Sequence, residues 1–431
     1  MSNLIPDDWK VTTLESNAIL ITDGSHFSPA TVDNGLPIAT VQNMRSRDFD
    51  ISSCRLISQD SFDELERGNC LPLIGDVLFS KDGTIGKTFV YRQKNRVVLL
   101  SSIAIIRLKQ NKLNSDYCSQ YLQSSLFYKQ LENAKSGSAI RRVVLKDIKL
   151  LELPTPPLPE QQKIAKILTS VDDVIEKTQA QIDKLKDLKT GMMQELLTNG
   201  IGHTEFKDSP VGRIPSGWEV KSIEECKVNV LDGDRGKEYP NDKDFLGHGH
   251  CLFLSAKNVT KSGFSFDTKV FITLEKDELL RKGKLQRNDL VITTRGTLGN
   301  IAYFDENIPY EHLRINSGMA ILRNEGNILS TSYLNLLLNS PLIIEQTELL
   351  AFGSAIPQLT IGLLKNLNVP IPQIQEQYSI VKTIESISSK SYLLIKKLTS
   401  LKSTKKALMQ DLLTGKVRVN TESTNTEVAV G

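Results

Sequence analysis

Residues 136–200, which begin SGSAI, pass through LPTPPLPEQQ and end MMQELLTNG, carry the reading of the whole chain. Residues 352–416 begin FGSAI, pass through VPIPQIQEQ and end LMQDLLTGK, and align with them at one constant offset, without a gap. Identities include Gly137/Gly353, Ser138/Ser354, Ala139/Ala355, Ile140/Ile356, Pro154/Pro370, Glu160/Glu376, Gln161/Gln377 and Gln194/Gln410. Upstream, IPDDWKV at 5–11 returns as IPSGWEV at 214–220, and GDVLFSKDGTIGK at 75–87 returns as NDLVITTRGTLGN at 288–300. In these blocks the offset drifts, so loops have changed length in the front of each copy but not in its back. Blocks kept in order through two copies mean an internal duplication.

Each copy divides into a globular front and a helical back. The fronts, residues 1–153 and 214–369, show short apolar runs punctuated by Gly, Pro, Asn and Asp. VLFSKDG, KTFVYR, VVLLSSIAIIRL, LVITTRG and MAILRN read as strands. SDYCSQYLQSSLFYKQLENA and STSYLNLLLNSPLIIEQTELL carry helical spacing, with Ser115 and Ser330 or Ser332 as caps. This mixture predicts an α+β fold for each front.

The backs open at Pro154–Pro159 and Pro370–Pro372, and each continues as a helix of about 38 residues, about 57 Å long if unbroken. Ile164, Ile167, Leu168, Val171, Val174 and Ile175 give a wide apolar stripe that narrows to Ile182, Leu185, Met192 and Leu196. Leu398, Leu401, Leu408 and Leu412 repeat that seam in the second copy, at the spacing of a coiled coil. An exposed seam of that length invites aggregation, so the expectation is two helices packed as an antiparallel coiled coil about a pseudo-two-fold axis. The alternative lays each helix on its own front. Antiparallel pairing about midpoints near 179 and 395 predicts an ion pair between Lys189 and Glu385. The expected segments are 1–153, a first spacer helix and linker at 154–213, 214–369, a second spacer helix at 370–418, and a polar tail at 419–431.

The 431 residues carry 53 Lys+Arg against 50 Asp+Glu, a net of +3. By segment the net is +2 for 1–153, −1 for 154–213, −2 for 214–369 and +4 for 370–431. Neither front is broadly basic. Five scattered cysteines without CxxC spacing argue against a disulfide framework or zinc ribbon, and so for a reducing cytoplasm. No apolar run approaches the ~18 residues of a membrane span, and MSNLIPDDWK lacks the basic-then-apolar pattern expected of a signal peptide.

Catalytic signatures are missing. SKDGTIGKT at 80–88 has Lys81 where a phosphate loop needs its first glycine, and TTRGTLGNI also loses the lysine. TPPLP is the one Pro-Pro and lacks the flanks of a base-holding methyltransferase loop, and no glycine fingerprint offers an adenosyl site. The PDDWK carboxylates become PSGWE in the second copy, so a shared Mg²⁺ cluster is not part of the design. His248, His250 and Cys251 have no counterpart in the first copy and read as loop residues.

PLPEQQKIAKIL with its long helix, MMQELLTNG and FKDSPVGRIPSGWEV resembles the specificity subunit of type I restriction–modification systems. ITDGSHFSP…NGLPIATVQNM, LDGDRGKEYP…FLSAKNV, the turns KDGTIG and TRGTLG, and GSAIRRV and GSAIPQL carry the same resemblance, over nearly the whole chain. Arg141 and Arg142 depart from the usual proline-glutamine after GSAI. The resemblance implies a non-catalytic, cytoplasmic subunit whose fronts are target-recognition domains, each reading half of a bipartite double-stranded DNA site. The helices would set the spacer and dock two methyltransferase subunits, which bring S-adenosylmethionine; a restriction (motor-nuclease) subunit would bring ATP and Mg²⁺. No cofactor, metal or membrane is expected on this chain itself. A repeat-built interaction scaffold and a self-sufficient methyltransferase or nuclease are the rival classes.

Arginine forks suit guanine, Asn and Gln suit adenine, and lysine suits phosphate. The DNA-binding candidates are therefore Arg45, Arg47, Lys81, Thr84, Lys87, Arg92, Arg141 and Arg142 in the first copy. In the second they are Arg235, Lys237, Lys257, Asn258, Lys261, Arg295, Thr297 and Gln358. Lys94 and Arg96 add to a positive cluster expected near the first glycine turn. Solvated surface charge is the plain alternative for each.

Overall fold

The computed structural model describes residues 5–134, 142–351 and 358–421. The GSAI segments, Arg141 and residues 422–431 of the polar tail lie outside that set. Two compact units emerge, Met1–Ala180 with Ile395–Gly431, and Gln181–Leu394. Each spacer helix contributes its first half to one unit and its last half to the other.

In the first unit the apolar runs form a four-stranded antiparallel sheet in the order Ala18–Asp23, Ile103–Leu108, Val77–Ser80, Thr88–Val90. A three-stranded sheet, Arg55–Ile57, Leu36–Ala39 and Val98–Leu99, lies beside it, and Lys10–Thr13 pairs with Glu152–Thr155. The second unit repeats this plan. Its four-stranded sheet runs Val228–Asp232, Met319–Asn324, Leu290–Thr293, Ile301–Tyr303, and its three-stranded sheet Phe271–Ile272, Cys251–Leu254, Leu313–Ile315. Glu219–Ser222 pairs with Asn368–Ile371. Pro154 and Pro370 sit in two-stranded ladders, opposite Val11 and Val220, where a missing N–H is tolerated.

Each expected front helix breaks in two: Ser115–Leu122 with Ser125–Ala134, and Thr331–Leu338 with Pro341–Ala351. Asn114 caps the first of these by accepting from the Tyr117 N–H, one residue before the expected Ser115, whereas Ser330 caps its counterpart as expected. Ser115 is instead buried and donates to the Gly75 carbonyl.

The long helices run Leu158–Thr198 and Ile374–Leu413. Pro159 falls in the first turn, where proline costs no hydrogen bond. The wide stripe at the start of each helix enters its own unit's core: Ile164, Ala165 and Leu168 in the first, Ile380, Val381 and Ile384 in the second. The last turns of the other helix join them there, Met409, Leu412 and Leu413 in the first unit and Met193, Leu196 and Leu197 in the second. Own-front packing and helix pairing thus coexist. Of the seam residues Ile182, Leu196, Leu398 and Leu412 are buried, and Leu185, Met192, Leu401 and Leu408 half-buried.

Within the first unit the chain directions are opposed, because Asp172 meets Lys405 while Glu160 meets Arg418. Lys189 and Glu385 line one cleft in the second unit but form no ion pair among the described residues, which corrects that expectation. The pair forms instead at the equivalent lysine, where Lys405 Nζ lies 2.7 Å from Asp172. The copy-equivalent of Asp172 is Ser388, which lines the cleft with Lys189 and offers it no charge.

Candidate nucleic-acid interface

The duplicated motifs separate into a clamp at the helix base and a set of loops at the sheet end. Glu160 accepts from the Trp9 indole at 3.0 Å, and Glu376 from the Trp218 indole at 3.0 Å. A basic side chain completes each: Arg418 on Glu160 at 2.7 Å, His203 on Glu376 at 2.9 Å. The next residue is a buried glutamine. Gln161 accepts from Asn114 N and donates to Lys112 O and Pro156 O; Gln377 accepts from Ser330 N and donates to Ile328 O and Pro372 O. The Glu-Gln pair of the repeat is therefore scaffold.

The other shared blocks meet at one end of the four-stranded sheet. Asp23 pairs with Ala104 and Ser80 with Ile103; Asp232 pairs with Ala320 and Thr293 with Met319. The loops that follow Asp23 and Ser80 in the first unit, and Asp232 and Thr293 in the second, thus emerge together. Gly24 and Gly233 begin one loop, and a Cβ there would stand 2.2 Å from Leu99 O or 2.4 Å from Asn316 O, so only glycine fits. The glycine turn is the other loop, with Gly83 at φ +70° and Gly296 at φ +73°, conformations that disfavour side chains. Its base is fixed identically: Ser80 Oγ donates to Thr84 O and accepts from Lys87 N, while Thr293 Oγ1 donates to Thr297 O and accepts from Asn300 N. The residues after each GSAI segment arrive at the same place, Val143 N donating to Lys81 O and Leu359 N to Thr294 O.

Exposed at this end in the second unit are Arg235, Lys237, Arg295 and Thr297, with Gln358 half-buried beside Leu359. Arg235 donates to Asp232 and to Ser317 O, each at 3.3 Å. Burial pushes the neighbouring Asp234 carboxyl up, but backbone N–H groups of Gly236, Arg281 and Lys282 outweigh it and hold the acid below its ordinary value. That network stiffens the loop carrying Arg235. In the first unit Thr84 is exposed, Arg142 lies 3.7 Å from Asp82, and His26 occupies the place of Arg235, 3.3 Å from Asp23.

Several candidates are corrected. Lys81 is 2% exposed and ion-paired to Asp23 at 3.0 Å, so its ammonium faces inward. Asn258 is buried, its Oδ1 accepting from Ser255 N and its Nδ2 donating to Ser265 O and Thr268 O; Asn43 serves the same turn in the first copy. Lys87 Nζ donates to Met44 O at 3.0 Å, as Asn300 Nδ2 does to Val259 O at 3.0 Å, a structural link. Arg47 reaches down to Asp173 and Glu176 of the spacer helix. Arg92 Nη2 donates to both carboxylate oxygens of Asp116 at 2.7 Å, and Arg96 pairs with Glu66, beyond the far end of the Thr88–Val90 strand. The positive cluster expected around the first turn is therefore dispersed.

Arg45 is exposed and bound to Asp50 at 2.6 Å. Lys257 is exposed, and Lys261 lines the cleft with Lys189. His26 and Phe27 escaped the sequence reading, although aligning TDGSHFS with LDGDRGK sets His26 against Arg235 and Ser28 against Lys237. His250 stacks on His312 with ring centroids 4.2 Å apart, and Cys251 is buried in a strand. Among the described residues no cluster of metal-binding side chains occurs, and no helix is long and apolar enough to cross a membrane.

Comparison with known proteins agrees with this arrangement. The chain is 28% identical over 427 residues to a putative type I restriction enzyme MjaX specificity subunit of Methanocaldococcus jannaschii, covering 97% of this chain and 95% of that protein. It is 30% identical over 355 residues to the MjaVIII specificity subunit of the same organism, covering 80% and 79%. In fold it is similar to the crystal structure of a type I restriction-modification S subunit from M. genitalium, with TM-score 0.57, 17% identity, and coverage of 96% and 97%. Residues 38–187 and 215–403 each match the type I restriction modification DNA specificity domain, and the chain belongs to that family.

Proposed function

We propose that each unit reads one half of a bipartite double-stranded DNA site through the loops at the end of its four-stranded sheet. One observation carries this reading: three sequence blocks shared by the copies converge at that end on an identical frame, while the exposed side chains there differ. Equal frames with unlike tips suit a protein that must present two unlike reading surfaces to one duplex. The spacer helices fix the gap between half-sites and dock two methyltransferase subunits, and a restriction subunit joins the same assembly. S-adenosylmethionine, ATP and Mg²⁺ belong to those partners, this chain is not itself catalytic, and the complex works in the cytoplasm. Near-neutral recognition domains fit a subunit that reads bases while larger partners hold the phosphates.

The test uses the chain assembled with its methyltransferase subunits, with methylated positions located by sequencing. Exchanging residues 5–153 for another recognition domain changes one half-site and leaves the other. Shortening both helices by matching amounts changes the spacer alone. Concerted change of both half-sites contradicts the modular reading, and an unchanged spacer removes the ruler. Methylation or cleavage by the isolated chain contradicts its non-catalytic role.

A further inference from the structure

The two sheet ends share a backbone frame but not a charge. The position of Arg235 is His26 in the first unit, that of Lys237 is Ser28, and that of Arg295 is Asp82. Three cationic positions in the second unit thus answer to a histidine, a serine and an aspartate that is itself engaged with Arg142. Arg295 stands in the glycine turn, exposed, and its guanidinium has no hydrogen bond or ion pair among the described residues. Its backbone N–H donates to Gly318 O at 3.3 Å, and the Arg235 guanidinium donates to Ser317 O at 3.3 Å. The two arginines therefore flank consecutive residues of one short loop, on backbone held by the ladders described above. Arg235 uses only its Nη2 in these contacts, which leaves further donors of the planar fork open.

Two exposed guanidiniums stand here on a held backbone, one of them without a partner among the described residues, and each offers a planar fork that matches the two acceptors N7 and O6 of a guanine in the major groove. Resting on the proposed DNA-reading role, we infer that Arg235 and Arg295 read guanine in the half-site of the second unit, and that the first unit lacks this device. The half-sites then differ in kind: one contains G·C pairs read by arginine forks, and the other is read without an arginine at either equivalent position.

The experiment selects a randomised bipartite DNA library with the chain in complex with its methyltransferase subunits. Residue 5–153 exchange identifies which half belongs to which unit. Wild type selects a bipartite motif with at least one G·C pair in the half of the second unit. Arg295→Gln lowers discrimination at one G·C position of that half by about 5- to 160-fold, Arg235→Gln does so at another, and the first half is unaffected. Arg295→Lys keeps the charge but not the fork, and so retains affinity while losing the preference for guanine. Because Arg295 is exposed and has no side-chain partner among the described residues, its variants melt like wild type, which separates reading from folding. A second half of A·T pairs only, an unchanged motif in both Gln variants, or a uniform loss across all sequences with a shallower salt dependence overturns the inference. Any of these leaves the DNA-reading role standing. A wild-type complex that selects no motif overturns that role, and the inference with it.

Discussion

Replacing Gln377 by alanine should unfold the second unit early while sparing the first. The side chain is fully buried and makes three hydrogen bonds, accepting from Ser330 N at 2.8 Å and donating to Ile328 O at 2.8 Å and Pro372 O at 3.0 Å. Truncation strips three backbone groups of their partner, at about 1 kcal/mol each and more where water cannot replace it. With the void added, the loss should be about 3–5 kcal/mol. At roughly 2–4 °C per kcal/mol for a unit of this size, the transition should fall by about 6–20 °C. The chain's two tryptophans make the assay unit-specific, since Trp9 lies in the core of the first unit and Trp218 in that of the second. In a Trp9→Phe background, fluorescence-detected urea unfolding reports Trp218 alone. Gln377→Ala should lower that midpoint, and Gln375→Ala, at an exposed position two residues away, should stay within about 0.5 kcal/mol. The mirror change, Gln161→Ala, should act on the Trp9 transition in a Trp218→Phe background. A loss below about 1 kcal/mol for Gln377→Ala, or an equal shift of the Trp9 transition when the same change is made in the Trp218→Phe background, refutes the clamp.

Lys405→Met should destabilise the first unit by about 1–3 kcal/mol, because it leaves the half-buried Asp172 without its cation, whereas Lys189→Met should cost less than about 0.5 kcal/mol. Chemical denaturation followed at Trp9 and Trp218 respectively checks both. Asp277 gives a pH test: burial pushes its carboxyl up, but hydrogen bonds from Lys284 and Arg314 outweigh this and hold it below the ordinary value of 3.8. Its contribution is therefore present above that value and is lost as pH falls through the lower folded value. Acid unfolding of the second unit should show this limb, and Asp277→Asn should flatten it while lowering stability at neutral pH. Arg418→Ala should remove the ion pairs to Asp8 and Glu160 and lower the melting temperature of the first unit, with the second unit unmoved in calorimetry.

The duplication made the architecture legible. One gapless offset aligns the helices residue for residue, and the shared strand blocks mark strands of both four-stranded sheets. Side-chain roles at the loops were harder to read, for a specific reason. Lys81 sits in a polar, glycine-rich turn and reads as surface, yet Asp23, far upstream, draws it inside. Asn258 reads as an adenine-reading amide, but its partners Ser265 O and Thr268 O belong to a turn that the sequence does not announce. Arg92 was near the glycine turn in sequence, and one strand of separation carried it to the opposite end. Glu376 and Gln377 stand out in the sequence only as identities of the repeat, because the groups they hold lie across the fold. Local pattern fixes elements, whereas the direction and partner of a long polar side chain depend on tertiary contacts.

The same division explains how two unlike surfaces coexist on one frame. Residues identical between the copies, Glu160/Glu376 and Gln161/Gln377, each hold several buried groups, so a change at any of them costs stability in its own unit. Residues at the sheet ends hold little. Arg295 has no side-chain partner among the described residues, Lys237 and Thr297 are exposed, and changes at such positions usually stay within about 0.5 kcal/mol. The tips are free to differ without disturbing the helices that both units share. His26 at the position equivalent to Arg235, and Asp82 at that of Arg295, are the substitutions such freedom allows, and they alter charge without altering the ladder beneath. On the proposed function, a frame that is stable whatever its tips carry lets each half-site change independently of the other. The small net charge follows from the same proposal, because base reading then needs a few exposed side chains and not a field spread over either unit.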